Sequence, residues 1–384
     1  MKRNALGLQV PTGTADILPR EQGFIRTLEN KILDLFTSWA YEEVETPTFE
    51  YLAAINPTIE KTDSLYKFFD RDGAVLALRP EMTTPIARMI ATRLRGNVFP
   101  LRICYSAEVF RYEKPPARRE FRQAGVELVG SSSPLADAEV IALAVDTLRN
   151  SGVQDFQLNL GHIEIFRGLI EEMGLDELSC KTIEDCLARK DFVALELYLV
   201  EIGLSKQQIE LIVGLPSFHG GDEVLERVGK LAKSPRTLAA LDNLREVYEA
   251  LKLHEVCQDV AIDLGILRGF DYYTGVVFEG YAPGLGFPVC EGGRYDGLLN
   301  KFGLDTPATG FAVNLERLVS ILEVPEYRGA NILVAGTSMK RVIVRAGELR
   351  AEGKRVETIL VPTGESEARE YAALKGIALV EVVD

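Results

Sequence analysis

Scarcity narrows this sequence before any motif does. Its five cysteines, Cys104, Cys180, Cys186, Cys257 and Cys290, are scattered, odd in number and never in a C-x-x-C pair. That argues against a disulfide framework or a zinc knuckle and fits buried thiols in a reducing compartment. Three histidines, His162, His219 and His254, are too few for a His-rich catalytic metal centre, so neither metal nor cofactor is expected. Apolar runs are short, of the order of Ile332 to Ala335, far below a bilayer-spanning length, and no membrane association is expected. Met1-Lys2-Arg3-Asn4 is followed by no apolar segment, so no secretory signal is read and a cytoplasmic location is expected. Basic residues are outnumbered, 43 against 57 acidic, and the net charge of −14 offers no broad footprint for RNA.

What is present is a chain of 384 residues, 47% hydrophobic, long enough for one large domain and a smaller one. Residues 11–19 (PTGTADILP) read as a loop entering a helix over Arg20 to Trp39, whose Phe24, Ile25, Leu28, Ile32, Leu35 and Phe36 fall at helical spacing. Tyr41 to Phe49 alternates as a strand does, and Lys67 to Leu78 reads as a hairpin around Arg71-Asp-Gly. Further expectations are a helix over 83–94, strands over 101–112 and 125–130, and a helix over 135–150. Residues 163–251 are helical in pattern, an insertion between two sheet-forming regions, bounded at about 165–255. Strands resume over 260–264 and 272–281, and a helix is expected over 310–322. From about residue 326 the pattern becomes a small βαβαβ module. The fold class expected is α+β, with domains at 1–325 and 326–384.

Several polar constellations interrupt this framework. Arg111 and Glu113 close a strand, positioned to grip a phosphate and a base amine, and Arg118, Arg119 and Arg122 follow in a proline-stiffened loop that is otherwise a solvated basic tip. Gln123 and Glu127 share a strand face by period two, as residues of an exposed face also would. Glu81 and Thr83 form a polar pair, with helix capping by Thr83 or Thr84 as the plain alternative. Arg268 beside Gly269, then Tyr272 and Tyr273 pointing to opposite faces, and Asn314 and Arg317 near the last core helix complete the set.

In order along the chain, PTGTADILP, LRPE-x-T, FRYE, RQAGVE, RGFDYYTGVVFE, GGRYDGL and GFAVNLERL resemble the landmarks of class II aminoacyl-tRNA synthetases, the histidyl enzyme in particular, over about residues 8–323. The resemblance implies a six-stranded, mainly antiparallel sheet flanked by helices, in a homodimer. It assigns Glu81, Thr83 and Gln123 to a histidine ammonium, Glu127 and Tyr273 to the imidazole with Tyr272 nearby, and Arg268 to the carboxylate. Arg111, Glu113 and Arg317 would hold ATP in the synthetase; Arg111 is counted with the histidine residues as well.

The chain departs from that enzyme where the nucleotide would lie. Asn314 and Met82 stand where glycine is usual, and the loop between FRYE and RQ is shorter by about two residues, as read against the family pattern. The C-terminal module carries nine basic and nine acidic residues from Glu326 to Asp384, with no net basic face. These features, with LRPEMTTPIAR, PARREFRQAGVELVG and ILVAGTS, resemble the regulatory subunits of ATP phosphoribosyltransferase. That resemblance implies no catalytic residues, a vestigial nucleotide site at Glu113, Asn314 and Arg317, histidine as ligand, no tRNA, and a short-form catalytic partner in a hetero-octamer. An active histidyl-tRNA synthetase with a truncated anticodon-binding domain is the alternative.

Overall fold

A computed structural model describes residues 8–55, 62–112, 118–266, 273–325 and 329–383. In chain order, β1 (Glu42–Glu43) is followed by β2 (Phe49–Tyr51), β3 (Lys67–Phe69) and β4 (Val75–Leu78). The long pair β5 (Leu101–Phe110) and β6 (Glu120–Val129) comes next, then β7 (Gln157–His162), β8 (His219–Gly220) and β9 (Val260–Asp263). β10 (Val276–Tyr281), β11 (Cys290–Arg294) and β12 (Ala308–Asn314) complete the core; β13 (Ile332–Ala335), β14 (Val356–Thr358) and β15 (Leu379–Val382) follow. The chain divides into two units, one of residues up to Ile17 with Ile25–Glu323, the other of Leu18–Phe24 with residues from Val324 onward.

The large unit is built on a nine-stranded sheet in the order β1-β5-β6-β12-β11-β10-β7-β9-β8. Its central six strands, β5 to β7 in that order, are antiparallel at every step. They are the sheet expected from sequence; β1 extends it in parallel beyond β5, and β9 and β8 beyond β7. A separate three-stranded sheet, β2-β4-β3, leaves Phe49, Tyr51 and Phe69 exposed.

One face of the large sheet is covered by helices. Helix Pro19–Ser38 buries Ile25, Leu28, Ile32 and Phe36, a stripe at three- and four-residue spacing. Its Phe36 meets Phe311 of β12 edge to face at 5.8 Å. Helix Pro134–Ser151 starts at a Ser133 side-chain cap with proline in its first turn and stops at Gly152 in the left-handed conformation, φ 91°. It is pinned to the sheet by the buried pair of Asp137 and Arg294, 2.9 Å apart.

Local readings change at three points. The strand expected over Tyr41 to Phe49 survives only as β1 and the start of β2, because Thr46 and Pro47 lie between two different sheets. The segment from Gly310 is not helical at first: it runs as β12 to Asn314, paired to β6 and β11, and helix Leu315–Ile321 begins there. β7 lies between Ser151 and the first inserted helix, where no strand was expected. The insertion between β7 and β9 is otherwise helical, from Ile163–Glu172 to Pro235–Leu253, broken by the two residues of β8. Among the described residues no helix is long and apolar enough to cross a membrane.

The small unit is a parallel sheet in the order β14-β13-β15, with helices Met339–Ala351 and Glu365–Lys375 as its crossovers. Leu333 and Ala335 face Ala368, Ala372 and Ile377 on one side; Ile332 and Val334 face Val342, Ala346 and Leu349 on the other. Within it, Arg20 donates to the carbonyls of Val324 (2.6 Å) and Pro325 (3.1 Å).

Candidate functional site

Period two places Gln123, Gly125 and Glu127 of β6 on the sheet face away from those helices. The neighbouring strands set Tyr105 and Ala312 opposite Gly125, Gly310 opposite Glu127, and Asn314 opposite Gln123. The row through Ala312 continues to Glu291 on β11 and Glu279 on β10. Glycine and alanine thus form a floor, while carboxylates, an amide and tyrosines stand around it. Glu81 and Thr83, at the start of helix Thr83–Met89, supply one wall, and Tyr273 and Tyr295 another. The enclosed cavity measures about 330 Å³, within the range of small-molecule sites.

Its most buried polar corner is Glu127, 2% exposed. The Tyr295 phenol donates to Glu127 Oε2, and the Thr83 hydroxyl also hydrogen-bonds the carboxyl. Burial pushes the Glu127 carboxyl up to about 8; Glu81 raises it further, while the bonds from Tyr295 and Thr83 oppose the rise. A Cβ at Gly310 would overlap the Glu127 carboxylate, so only glycine leaves this corner open. Across the floor, a Cβ at Gly125 would stand 2.5 Å from the Tyr105 hydroxyl. Tyr105 is itself buried, and desolvation with the charges of Glu127 and Glu81 drives its phenol well up. Tyr273 behaves alike, raised by burial first and then by Glu291, Glu127 and Glu279.

Glu81 faces this cavity and also accepts the Thr84 N–H at 3.1 Å. The cap of helix Thr83–Met89 is therefore Glu81, not Thr83 or Thr84 as the local pattern allowed: the N-cap position is Met82, which makes no side-chain cap bond, and Thr83 turns to Glu127. Met82 is buried in the core with Ile86, Tyr105 and Tyr295.

The two described cations of the cavity are held in place. Arg111 donates from Nε to the Pro80 carbonyl (2.7 Å) and lies over the Phe121 ring at 5.3 Å. Arg317 donates to the Pro288 carbonyl (2.5 Å) and lies over Phe287 at 5.5 Å. Asn314 lines the cavity and turns its Oδ1 to the Arg317 N–H (2.9 Å), capping helix Leu315–Ile321.

Of the sequence-derived residues, Glu81, Thr83, Arg111, Gln123, Glu127, Tyr273, Asn314 and Arg317 meet around this one cavity. Glu113, Arg268 and Tyr272 lie outside the described residues. Arg122 points to the other face, bonded to Glu29 (3.0 Å) and Glu108 (2.8 Å), and Arg119 stacks on Tyr112 at 4.2 Å. Four further polar lining residues were not anticipated: Tyr105, Glu279, Glu291 and Tyr295. The last three sit inside motifs already distinctive in sequence, but only the strand register turns them toward Glu127. Among the described residues no group of three His, Cys, Asp or Glu side chains is placed to hold a metal. The arrangement suits a small ligand with an N–H donor for a deep carboxylate and a cationic group for the Glu81 and Gln123 side.

Residues 13–318 match a sequence model of the family described as "Histidyl-tRNA synthetase". The ATP phosphoribosyltransferase regulatory subunit of Desulfitobacterium hafniense (strain DSM 10664 / DCB-2) is 49% identical over 377 residues, 98% of each chain. That of Moorella thermoacetica (strain ATCC 39073 / JCM 9320) is 47% identical over 380 residues, covering 97% of this chain and 96% of the relative. A solved structure from Bacillus halodurans C, described as an ATP phosphoribosyltransferase regulatory subunit/histidyl-tRNA synthetase, shares the fold with a TM-score of 0.89 at 30% identity and 98% coverage of both chains.

Proposed function

Because this chain belongs to the ATP phosphoribosyltransferase regulatory subunits, on the histidyl-tRNA synthetase fold, we propose that its cavity binds free histidine and relays feedback to the catalytic subunit. Membership makes it a non-catalytic subunit in histidine biosynthesis whose partner is a catalytic ATP phosphoribosyltransferase chain. The observation that carries the histidine reading is the buried Glu127, held by Tyr295 and Thr83 at the closed end of the cavity. A carboxyl oxygen there accepts an imidazole N–H, with Tyr273 beside it. Glu81, Thr83 and Gln123 take the ammonium; Arg111, Arg268 and Tyr272 complete the ligand set, with Arg268 facing the carboxylate.

The finer features of the reading follow the family. The partner is the short-form catalytic subunit, the complex a cytoplasmic hetero-octamer, and this chain self-associates as a homodimer without engaging tRNA. The exposed aromatics Phe49, Tyr51 and Phe68, which share one face of the small sheet, support self-association, since clustered apolar surface of this kind marks protein contacts. Residues 1–325 serve as the histidine-binding domain and 326–384 as a separate module. Coupling between histidine and the partner active site is a free energy shared by both sites, so catalytic-subunit ligands must alter histidine affinity reciprocally.

Calorimetric titration of histidine into the chain, with feedback inhibition of the reconstituted complex, tests this. Glu127→Gln and Gln123→Ala are expected to weaken both by about tenfold or more, with assembly by size exclusion unchanged. Inhibition that persists unaltered in both variants places histidine sensing elsewhere.

A further inference from the structure

The cavity's polar lining is lopsided. Among the described residues it carries four acidic side chains, Glu81, Glu127, Glu279 and Glu291, of which Glu127 is held neutral below about pH 8, against the guanidiniums of Arg111 and Arg317. Two of the four are not needed for the histidine reading. Glu279 and Glu291 stand directly opposite each other on antiparallel strands β10 and β11 and both face the cavity. Like charges so placed cost stability, at a Cβ separation of about 5 Å. Glu279 is buried and accepts the Tyr281 hydroxyl at 2.5 Å; Glu291 is exposed at the mouth. Their field reaches across the cavity, since both add to the rise of the Tyr273 phenol. The two arginines keep their full charge, but each is fixed in place by a main-chain carbonyl and a ring, so they are outnumbered by the acidic side chains and cannot swing to pair with Glu291 without giving up those contacts.

A polyanion entering this space brings several negative charges into a low-dielectric concavity whose described lining is itself net negative. A zwitterionic amino acid brings none in balance, and its ammonium gains from the same field. We propose that Glu291, set at the mouth directly opposite the buried Glu279, acts as a charge filter that keeps nucleoside polyphosphates out of the cavity. The filter rests on the histidine reading for the ligand it admits, not for the ligand it rejects. On this proposal the obstacle to a nucleotide is Glu291 and not Asn314, whose side chain is engaged in a helix cap.

The test is a parallel titration of the full chain with magnesium-free ATP, adenosine and histidine. For wild type, ATP binding is expected to be undetectable at millimolar ligand. Glu291→Gln, which keeps shape and removes the charge, should bind ATP at least about tenfold more tightly, an advantage that shrinks as salt rises. Adenosine affinity should not change, and histidine affinity should stay level or fall slightly as its ammonium loses part of the field, but should not rise. Glu291→Ala provides a second variant with the same expectation. Equal ATP affinity in wild type and both variants, or an equal gain for uncharged adenosine, overturns the filter. If histidine fails to bind wild type while ATP binding appears in the variants, the filter stands and the histidine assignment falls.

Discussion

Replacing Glu127 by glutamine should make the protein more stable while disabling its pocket, and the effect should depend on pH in a defined direction. The carboxyl titrates at about 8 in the folded chain against an ordinary value of 4.5. Between those values the folded chain holds a proton that the unfolded chain has released. Stability contributed by the neutral acid is therefore full below the unfolded value, falls as pH rises through the window, and is lost above about 8. At about 1.36 kcal/mol per pKa unit, a shift of this size amounts to roughly 3–5 kcal/mol. Glutamine is neutral throughout, fills the same volume, and still offers an oxygen to the Tyr295 and Thr83 hydroxyls. Wild type and Glu127→Gln should accordingly be similar in stability at about pH 5, with the variant ahead by roughly 3–5 kcal/mol at about pH 9. Urea unfolding followed by the fluorescence of Trp39, the sole tryptophan and a residue of the large unit, reads the difference. A gap between the two proteins that stays constant from about pH 5 to about pH 9 would refute the argument, since Glu127 would then ionise alike in folded and unfolded chains.

Other outcomes follow from single contacts. Tyr295→Phe keeps a ring in the cluster of Met82, Ile86 and Leu298 but removes the donor to Glu127; histidine affinity by calorimetry should drop up to about tenfold, a neutral hydrogen bond being worth about 0.5–1.5 kcal/mol. Gly310→Ala pushes a methyl group into the Glu127 carboxylate and should cost about 1–3 kcal/mol in urea unfolding, with histidine binding lost. Asp137→Ala removes the buried one of two carboxylates on Arg294, leaving Asp296 at 3.1 Å, and should cost about 3 kcal/mol in the same assay; a loss below about 1 kcal/mol would mean the pair is solvated.

Half of the central antiparallel sheet was legible in the residues and half was not, for a reason that lies in the cavity. β5, β6 and β10 carry alternating apolar side chains and read as strands. β11 and β12 do not, because a β-branched residue at Gly293, Gly310 or Ala312 would promote a strand but fill the pocket side of the sheet, and one at Gly292 would run into Phe278 and Phe311 on the other face. In β12 the apolar spacing of Phe311, Leu315, Leu318 and Val319 runs straight into a true helix and disguised the strand before it. β7 alternates, but its Asn159 and Gly161 weaken the signal. The site shows the same division. Gln123 and Glu127 could be paired by period two within one strand. The bond from Tyr295 to Glu127 joins residues far apart in sequence, and nothing local to either reports it.

The register that sets Gly310 against Glu127 has a consequence for synthesis. β6 is made early, but its partner β12 follows only after the whole helical insertion and the β10–β11 hairpin. Closing that gap has an entropic cost that local pairings such as β5 with β6 do not meet. Until the ribosome has released Asn314, Glu127 has no roof, Tyr295 has no strand to dock against, and no ligand can be recognised. Occupancy of the pocket is thus open only to chains made through β12 and Arg317: a copy terminated earlier cannot bind, and ligand added during refolding should speed nothing before β6 and β12 have paired.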